Sequence, residues 1–272
     1  MAMKLGARQT LSPDRAFGAF ELRRLQWDTT HFGRKMGLLA IVSTDARQRQ
    51  AHLAADLRLA LTEAADDGYA HVIIRVPAEQ LRVARIAEQC GLRLVDVAVD
   101  LITSVTSHRP MTAVGPNVRP VVPADLDALR AIAETAFEFS RFASDPFFSD
   151  DDVAGFYRQW ITNLCDGLAK AVLVAEASDE IAGFSTCAVQ DDGTGRIPLI
   201  ATSDAHRRQG VARALIDASL RWFAATGIKT ARVKTQAANY PALALYHTAG
   251  FTVAAAELTY SATLSAPSPI SG

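Results

Sequence analysis

The run from Ile200 to Ala212 constrains this chain more than any other. An apolar strand passes through a basic, glycine-containing turn, Asp204-Ala205-His206-Arg207-Arg208-Gln209-Gly210, straight into an amphipathic helix. Val211, Ala214, Leu215, Ala218 and Trp222 recur on one helical face, Arg213, Asp217 and Arg221 lie off it, and Gly227 ends it. The first amides of such a helix have no intrahelical partner. Those amides, the helix dipole, Arg207 and Arg208 favour an anion in the turn, and Gly210 and the small Ala212 let phosphate oxygens approach the backbone. A phosphate-bearing ligand is the expectation, although a basic loop that only caps a helix gives the same short pattern.

The residues after this turn and its helix add weight. Thr230 to Thr235 alternates with period two and reads as a strand. Asn239 and Tyr240 then precede Pro241, which suits the opening of a helix that runs to the break at Gly250-Phe251. Asn239 and Tyr246 are two helical turns apart and share a side of that helix.

These two stretches resemble the GCN5-related N-acetyltransferase (GNAT) superfamily. The likeness rests on Arg207, Gly210 and Ala212 in an Arg/Gln-x-x-Gly-x-Gly/Ala turn, and on Thr235 to Asn239, Leu245-Tyr246 and Gly250-Phe251 as the closing motif, in order and at family-like spacing. The resemblance implies an α/β (α+β) chain with the GNAT fold, a mixed central sheet flanked by helices, preceded by a partial GNAT-like α/β domain. It implies an N-acetyltransferase with acetyl-CoA as co-substrate and no metal, working by direct attack of an amine on the thioester. It places cofactor contacts at Ile200, Ala201, Thr202, Arg207, Arg208, Gln209, Gly210, Val211, Ala212 and Asn239, and a proton donor for the leaving thiolate at Tyr246. Ala212 stands where the family often has a second glycine, and Thr202 where an apolar residue is more common. A helical tyrosine can also simply pack its ring and wet its hydroxyl.

A narrower resemblance covers most of the chain. Leu25-Gln26-Trp27-Asp28-Thr29-Thr30-His31-Phe32-Gly33, Ser140-Arg141-Phe142, Asp145-Pro146-Phe147-Phe148 and Phe156 to Trp160 look like the dTDP-fucosamine acetyltransferases. This implies a small amine acceptor, an amino-deoxy sugar carried on a nucleotide, with Arg141, Asp145 and Phe147 contacting it, and a homodimer. An aminoglycoside, another biosynthetic amine, a peptide N-terminus, or a non-catalytic acyl-CoA-binding module stay open beside it. So does the choice between core packing and pocket lining for Trp27, Phe32, Phe147 and Trp160.

A formal charge of −1 argues against a nucleic-acid binder, and 49% apolar residues over 272 suffice for a substantial core. Cys90, Cys165 and Cys187 show no metal-ligand spacing and are expected to be reduced and mostly buried. The first residues lack the apolar core of a signal peptide and no run approaches the ~20 apolar residues of a membrane span, so a cytoplasmic protein without membrane contact is expected. Composition divides the chain into a domain over 1–105, a Ser/Thr/Pro/Gly linker over 106–117, the acetyl-CoA-binding domain over 118–264 and a flexible tail over 265–272. The first half carries an echo of the second: helix, Gly, strand, helix, Gly, with the glycines 23 positions apart both times (91 − 68 and 250 − 227). Chance similarity of two common units explains it equally well. If the echo is real, the first copy has lost its chemistry, because Ala87 stands where Tyr246 does and Gln80 where Asn239 does.

Overall fold

The computed structural model describes residues 15–43, 50–107 and 115–264. They fall into two compact units. The first takes the described residues up to Ala98, Ser144–Phe148, and those from Ala255 onward; the second takes those of Val99–Ala143 and Ser149–Ala254. Contacts therefore divide the chain differently from composition. The long strands β5 (Arg93–Ser104) and β12 (Thr252–Thr263) each give residues to both units, which local sequence cannot reveal. Part of the expected linker and the whole 265–272 tail lie outside the described residues; Val105–Ser107 is a 3-10 turn and strand resumes at Asn117.

The first unit comprises β1 (Arg15–Phe17), β2 (Phe20–Arg24), α1 (Gln26–Phe32), β3 (Met36–Ile41), α2 (Gln50–Asp66), β4 (His71–Pro77), α3 (Leu81–Gln89) and the start of β5. Its sheet runs β1-β2-β3-β4-β12, with β3 and β4 parallel and the other pairs antiparallel. Val72, Ile73, Ile74 and Val76 are all buried, as expected of a parallel strand covered on both faces, and only the exposed Arg75 interrupts the run. Leu53, Leu57, Ala60 and Ala64 place one stripe of α2 on that sheet, beside Val83, Ile86 and Ala87 of α3.

The second unit comprises β6 (Asn117–Pro120), α4 (Leu126–Thr135), α5 (Asp150–Asn163), β7 (Ala171–Ala177), β8 (Glu180–Val189), β9 (Gly195–Ile197), β10 (Ile200–Thr202), α6 (Val211–Ala225), β11 (Thr230–Gln236) and α7 (Tyr240–Thr248). Its strand order is β5-β11-β9-β8-β7-β6, with β10 on β8 alone. Leu215, Ile216, Leu220 and Phe223 of α6 share a core with Leu173, Ala175, Cys187 and Val233. All three cysteines are free: Cys187 is buried, with a thiol pushed up to about 12 by burial, while Cys90 and Cys165 are half-buried. Among the described residues no helix is long and apolar enough to cross a membrane.

The echo between the halves is matched in the backbone. β4, α3 and β5 have 7, 9 and 12 residues, and so do β11, α7 and β12. Gly68, Gly91, Gly227 and Gly250 close the four helices at φ of 75°, 87°, 79° and 85°. The closing hydrogen bonds correspond as well: Leu92 N–H donates to Ala87 O at 3.0 Å where Phe251 N–H donates to Tyr246 O at 3.0 Å.

Candidate active site

The second unit builds its site around a strand that breaks. β9 pairs with β8 on one side and runs parallel to β11 on the other, up to Ile197↔Val233. Pro198 comes next, with no N–H to donate. Beyond it β10 keeps its partner in β8, through Ile200↔Ser185 and Thr202↔Gly183, and leaves β11. Thr186 N–H donates to Leu199 O at 2.9 Å, and Ser203 N–H to Ala182 O at 2.9 Å. Ladder alternation then turns the amides and carbonyls of Ile200 and Thr202 away from β8, toward the opening where β11 has departed. The Thr202 Oγ1 is buried there with no hydrogen-bond partner among the described residues. Gly183 permits this geometry: a Cβ at that position would meet Ala201 O at 2.5 Å and Val211 Cγ1 at 2.9 Å.

The turn after β10 has the form that an anion site needs. A 3-10 turn, Asp204–His206, leads into Arg207, and both Arg208 (φ 63°) and Gly210 (φ 82°) are left-handed. Gly210 is the N-cap of α6 and supplies no side chain, so the first amides of the 15-residue helix are uncapped. Arg207 bridges Asp204 at 2.8 Å and Glu138 at 3.8 Å, and Gln209 Nε2 donates to Ala205 O at 3.0 Å. The side chains of Arg207 and Gln209 thus brace the turn. Val211 is buried beneath it, and Ala212 is half-buried.

On α7, Asn239 is the N-cap, its Oδ1 accepting from Ala242 N–H at 3.2 Å. The amide nitrogen of that side chain is left to donate. Tyr246 is buried, its ring centroid 5.6 Å from that of Phe251, and burial raises its phenol well above the ordinary value. It therefore stays protonated throughout the neutral range.

The residues expected at the acceptor are distributed differently. Arg141 belongs to the second unit, its guanidinium carbon 3.7 Å from the Phe142 ring centroid. Asp145 and Phe147 belong to the first. Asp145 is buried and turned inward: it receives His71 Nε2 at 2.8 Å, the Phe147 amide at 3.1 Å, and the Ser261 hydroxyl. Burial pushes this carboxyl up, but the bonds from His71, Phe147 and Ser261 outweigh it and leave it below the usual carboxylate value. Phe147 is half-buried against His71, centroids 4.4 Å apart, with the Arg34 guanidinium 4.6 Å from its ring. Trp27, Phe32 and Trp160 are half-buried as well. The opening signature folds as α1, closed by left-handed Gly33, and Thr29 Oγ1 accepts from Met36 N–H at 3.1 Å.

His71 carries no signal in the sequence, because its partner lies 74 residues away and nothing local to either residue announces the pair. Two other titratable groups of the second unit are engaged locally: Glu176 with Arg119 at 2.7 Å, and His206 Nδ1 with Ser203 Oγ at 2.8 Å.

Residues 128–251 match the model of the acetyltransferase (GNAT) family. The spore coat polysaccharide biosynthesis protein SpsD of Bacillus subtilis is 25% identical over 181 residues, 66% of this chain and 62% of that protein, so the chain spans less than two thirds of that relative. A GCN5-related N-acetyltransferase from Sphaerobacter thermophilus matches with TM-score 0.66 and 16% identity, over 90% of this chain and 76% of that one. A tandem GNAT protein from the clavulanic acid biosynthesis pathway matches with TM-score 0.60 and 16% identity, over 93% and 82%. At these identities the structures speak for fold. The broken strand, the left-handed turn on α6 and these matches agree: the chain has the GNAT fold, and residues 128–251 match the acetyltransferase (GNAT) family, whose members use acetyl-CoA.

Proposed function

We propose that this protein transfers an acetyl group from acetyl-CoA to the primary amine of a nucleotide-linked amino-deoxy sugar. The observation that carries the transfer is the opening where β10 leaves β11. There the unpaired backbone of Ile200 and Thr202 and the buried, unpartnered Thr202 Oγ1 stand immediately before the left-handed turn. Acetyl-CoA, when bound, supplies a thioester that a neutral amine converts to an amide and a free thiol.

The residues present fit that co-substrate. The uncapped amides from Val211 onward and the turn through Arg208, Gln209 and Gly210 hold its pyrophosphate, with Ala212 leaving room beside them. The Ile200 and Thr202 backbone and the Asn239 amide nitrogen hold the pantetheine arm and aim the thioester carbonyl, whose developing charge faces the Thr202 amide. Tyr246, kept protonated by burial, gives its proton to the departing sulfur. Arg141 pairs with a phosphate of the sugar nucleotide; within the first unit, Asp145 fixes the backbone of Phe147.

The acceptor class is supported by the opening signature on α1 and by the relative in spore coat polysaccharide biosynthesis. The test is thiol release from acetyl-CoA across nucleotide-linked amino sugars, aminoglycosides and short peptides. Turnover with a nucleotide-linked amino sugar is expected. Turnover confined to peptides or aminoglycosides would replace the acceptor, and acetyl-CoA binding without turnover on any amine would replace the enzyme with a binding module.

A further inference from the structure

The sheet of the second unit carries a basic pair that its packing does not use. Ile197, Ala231 and Val233 share the core of α6, and a Cβ at Gly195 would meet the Phe223 ring at 2.7 Å, so these four residues face α6. Strand alternation turns Arg196 and Arg232 to the opposite face. The two are direct partners across the parallel pairing of β9 and β11. On its other side Arg196 has Ala188 of β8, small and buried, which brings it no charge.

Like charges directly opposite on neighbouring strands, about 4.8 Å apart, repel. Both arginines are half-buried, and neither guanidinium has a hydrogen bond or a closed ion pair among the described residues. The Arg232 Nε is itself buried without a partner. The nearby carboxylates are taken: Asp100 bridges Lys234 at 3.3 Å, and Asp192, near enough to attract Arg232, accepts from the Thr194 amide at 2.8 Å. An oxyanion laid across the pair answers both faults, because it cancels the repulsion and accepts from the guanidinium forks, the buried Nε–H included.

Position indicates which oxyanion. The pair stands one residue before Ile197↔Val233, where β9 and β11 make their last contact. Ile200, at the proposed cleft, is four residues further on, at most about 14 Å along the chain. An amino-hexose with its diphosphate covers that length. We propose that Arg196 and Arg232 form an oxyanion site, on the sheet face away from α6, that holds the diphosphate of the acceptor and so selects the nucleotide-linked sugar over the free one. With Arg141 on one phosphate, the pair takes the other. The choice of ligand rests on the reading of the cleft as the site of acetyl transfer; the oxyanion site does not.

The test is NMR of the arginine Nε–H groups of the full chain, titrated with pyrophosphate after acetyl-CoA has been added to fill the turn before α6. Saturable shifts are expected at Arg196 and Arg232, and Arg196→Gln should weaken the Arg232 response by about 10-fold or more, the loss of a charge-assisted hydrogen bond. In the thiol-release assay Arg232→Gln should lower the preference in kcat/KM for the nucleotide-linked over the free amino sugar by a similar factor. Resonances of the pair that stay in place, or that move no more than those of the exposed Arg85 and Arg221, overturn the site. A response at the pair with the preference intact overturns its role for the acceptor. Turnover on no amine would sink the acetyl-transfer reading instead, and the pyrophosphate response would still decide the site.

Discussion

The two units use one backbone plan with opposite emphasis. In the second, a left-handed glycine frees the head of α6, Tyr246 fills the space under α7, and polar backbone is left open where β10 departs. In the first, the corresponding places hold Ala51, Ala87 and Leu53; Ala51 is exposed within α2, and Ala87 and Leu53 are buried in the core. Polar chemistry there concentrates instead in the buried His71–Asp145 pair, which ties Ser144–Phe148 to the start of β4. On the proposed reading, the same fold keeps or loses a phosphate site through a few small residues. What the first unit gains is a rigid seat for an aromatic loop.

The largest expected effect breaks that seat. Asp145→Asn leaves His71 facing a carboxamide in a buried site, and urea unfolding at pH 7 should show a loss of about 3–5 kcal/mol, the range for breaking a buried pair. Because the folded carboxyl lies below its ordinary value, its contribution is present at pH above the unfolded value of about 3.9 and is lost as pH falls through the folded value. The gap between the parent and the variant should therefore stay constant from pH 7 to 5 and close only below about 4. A gap that closes near neutrality would show that Asp145 does not set the titration.

Tyr246→Phe should lower kcat by about 10²-fold or more while leaving acetyl-CoA binding intact, as loss of general-acid help predicts. Because burial raises the phenol, kcat in the parent should show no alkaline loss from this group below about pH 10, the ordinary phenol value. Activity retained in the variant would reduce Tyr246 to packing, the role that Ala87 has in the first unit.

Gly210→Val attacks the turn itself. A β-branched residue at φ 82° is strained, and its side chain obstructs the helix head, so stability should fall by about 1–3 kcal/mol and calorimetric acetyl-CoA binding should be lost. Ala51→Val, inside a helix of ordinary conformation, should cost under about 1 kcal/mol and leave binding unchanged. Equal effects would erase the distinction between the two helix heads.

Asp125→Asn should cost less than Gly210→Val. Asp125 accepts from Arg119 at 2.7 and 3.0 Å and from the Val122 amide at 2.8 Å, and the Arg119 bonds hold its carboxyl low. The loss should be about 1–2 kcal/mol by thermal unfolding, with activity preserved, because only the edge at β6 and the start of α4 depend on it.

The legible parts of this protein were local. The strand, turn and helix from Ile200 to Ala225, the cap at Asn239 and the glycine-closed helices are written in neighbouring residues, because amide satisfaction, helical period and left-handed conformation are decided within a few positions. The echo of glycines was legible for the same reason. The tertiary structure alone decided the rest. Asp145 became an inward anchor once His71 was brought to it across 74 residues, and β5 and β12 became members of both units through pairings that no local pattern encodes. A carboxylate's partner and a strand's neighbour are set by where distant chain returns, and only there does burial turn an ordinary Asp into a fixed polar atom.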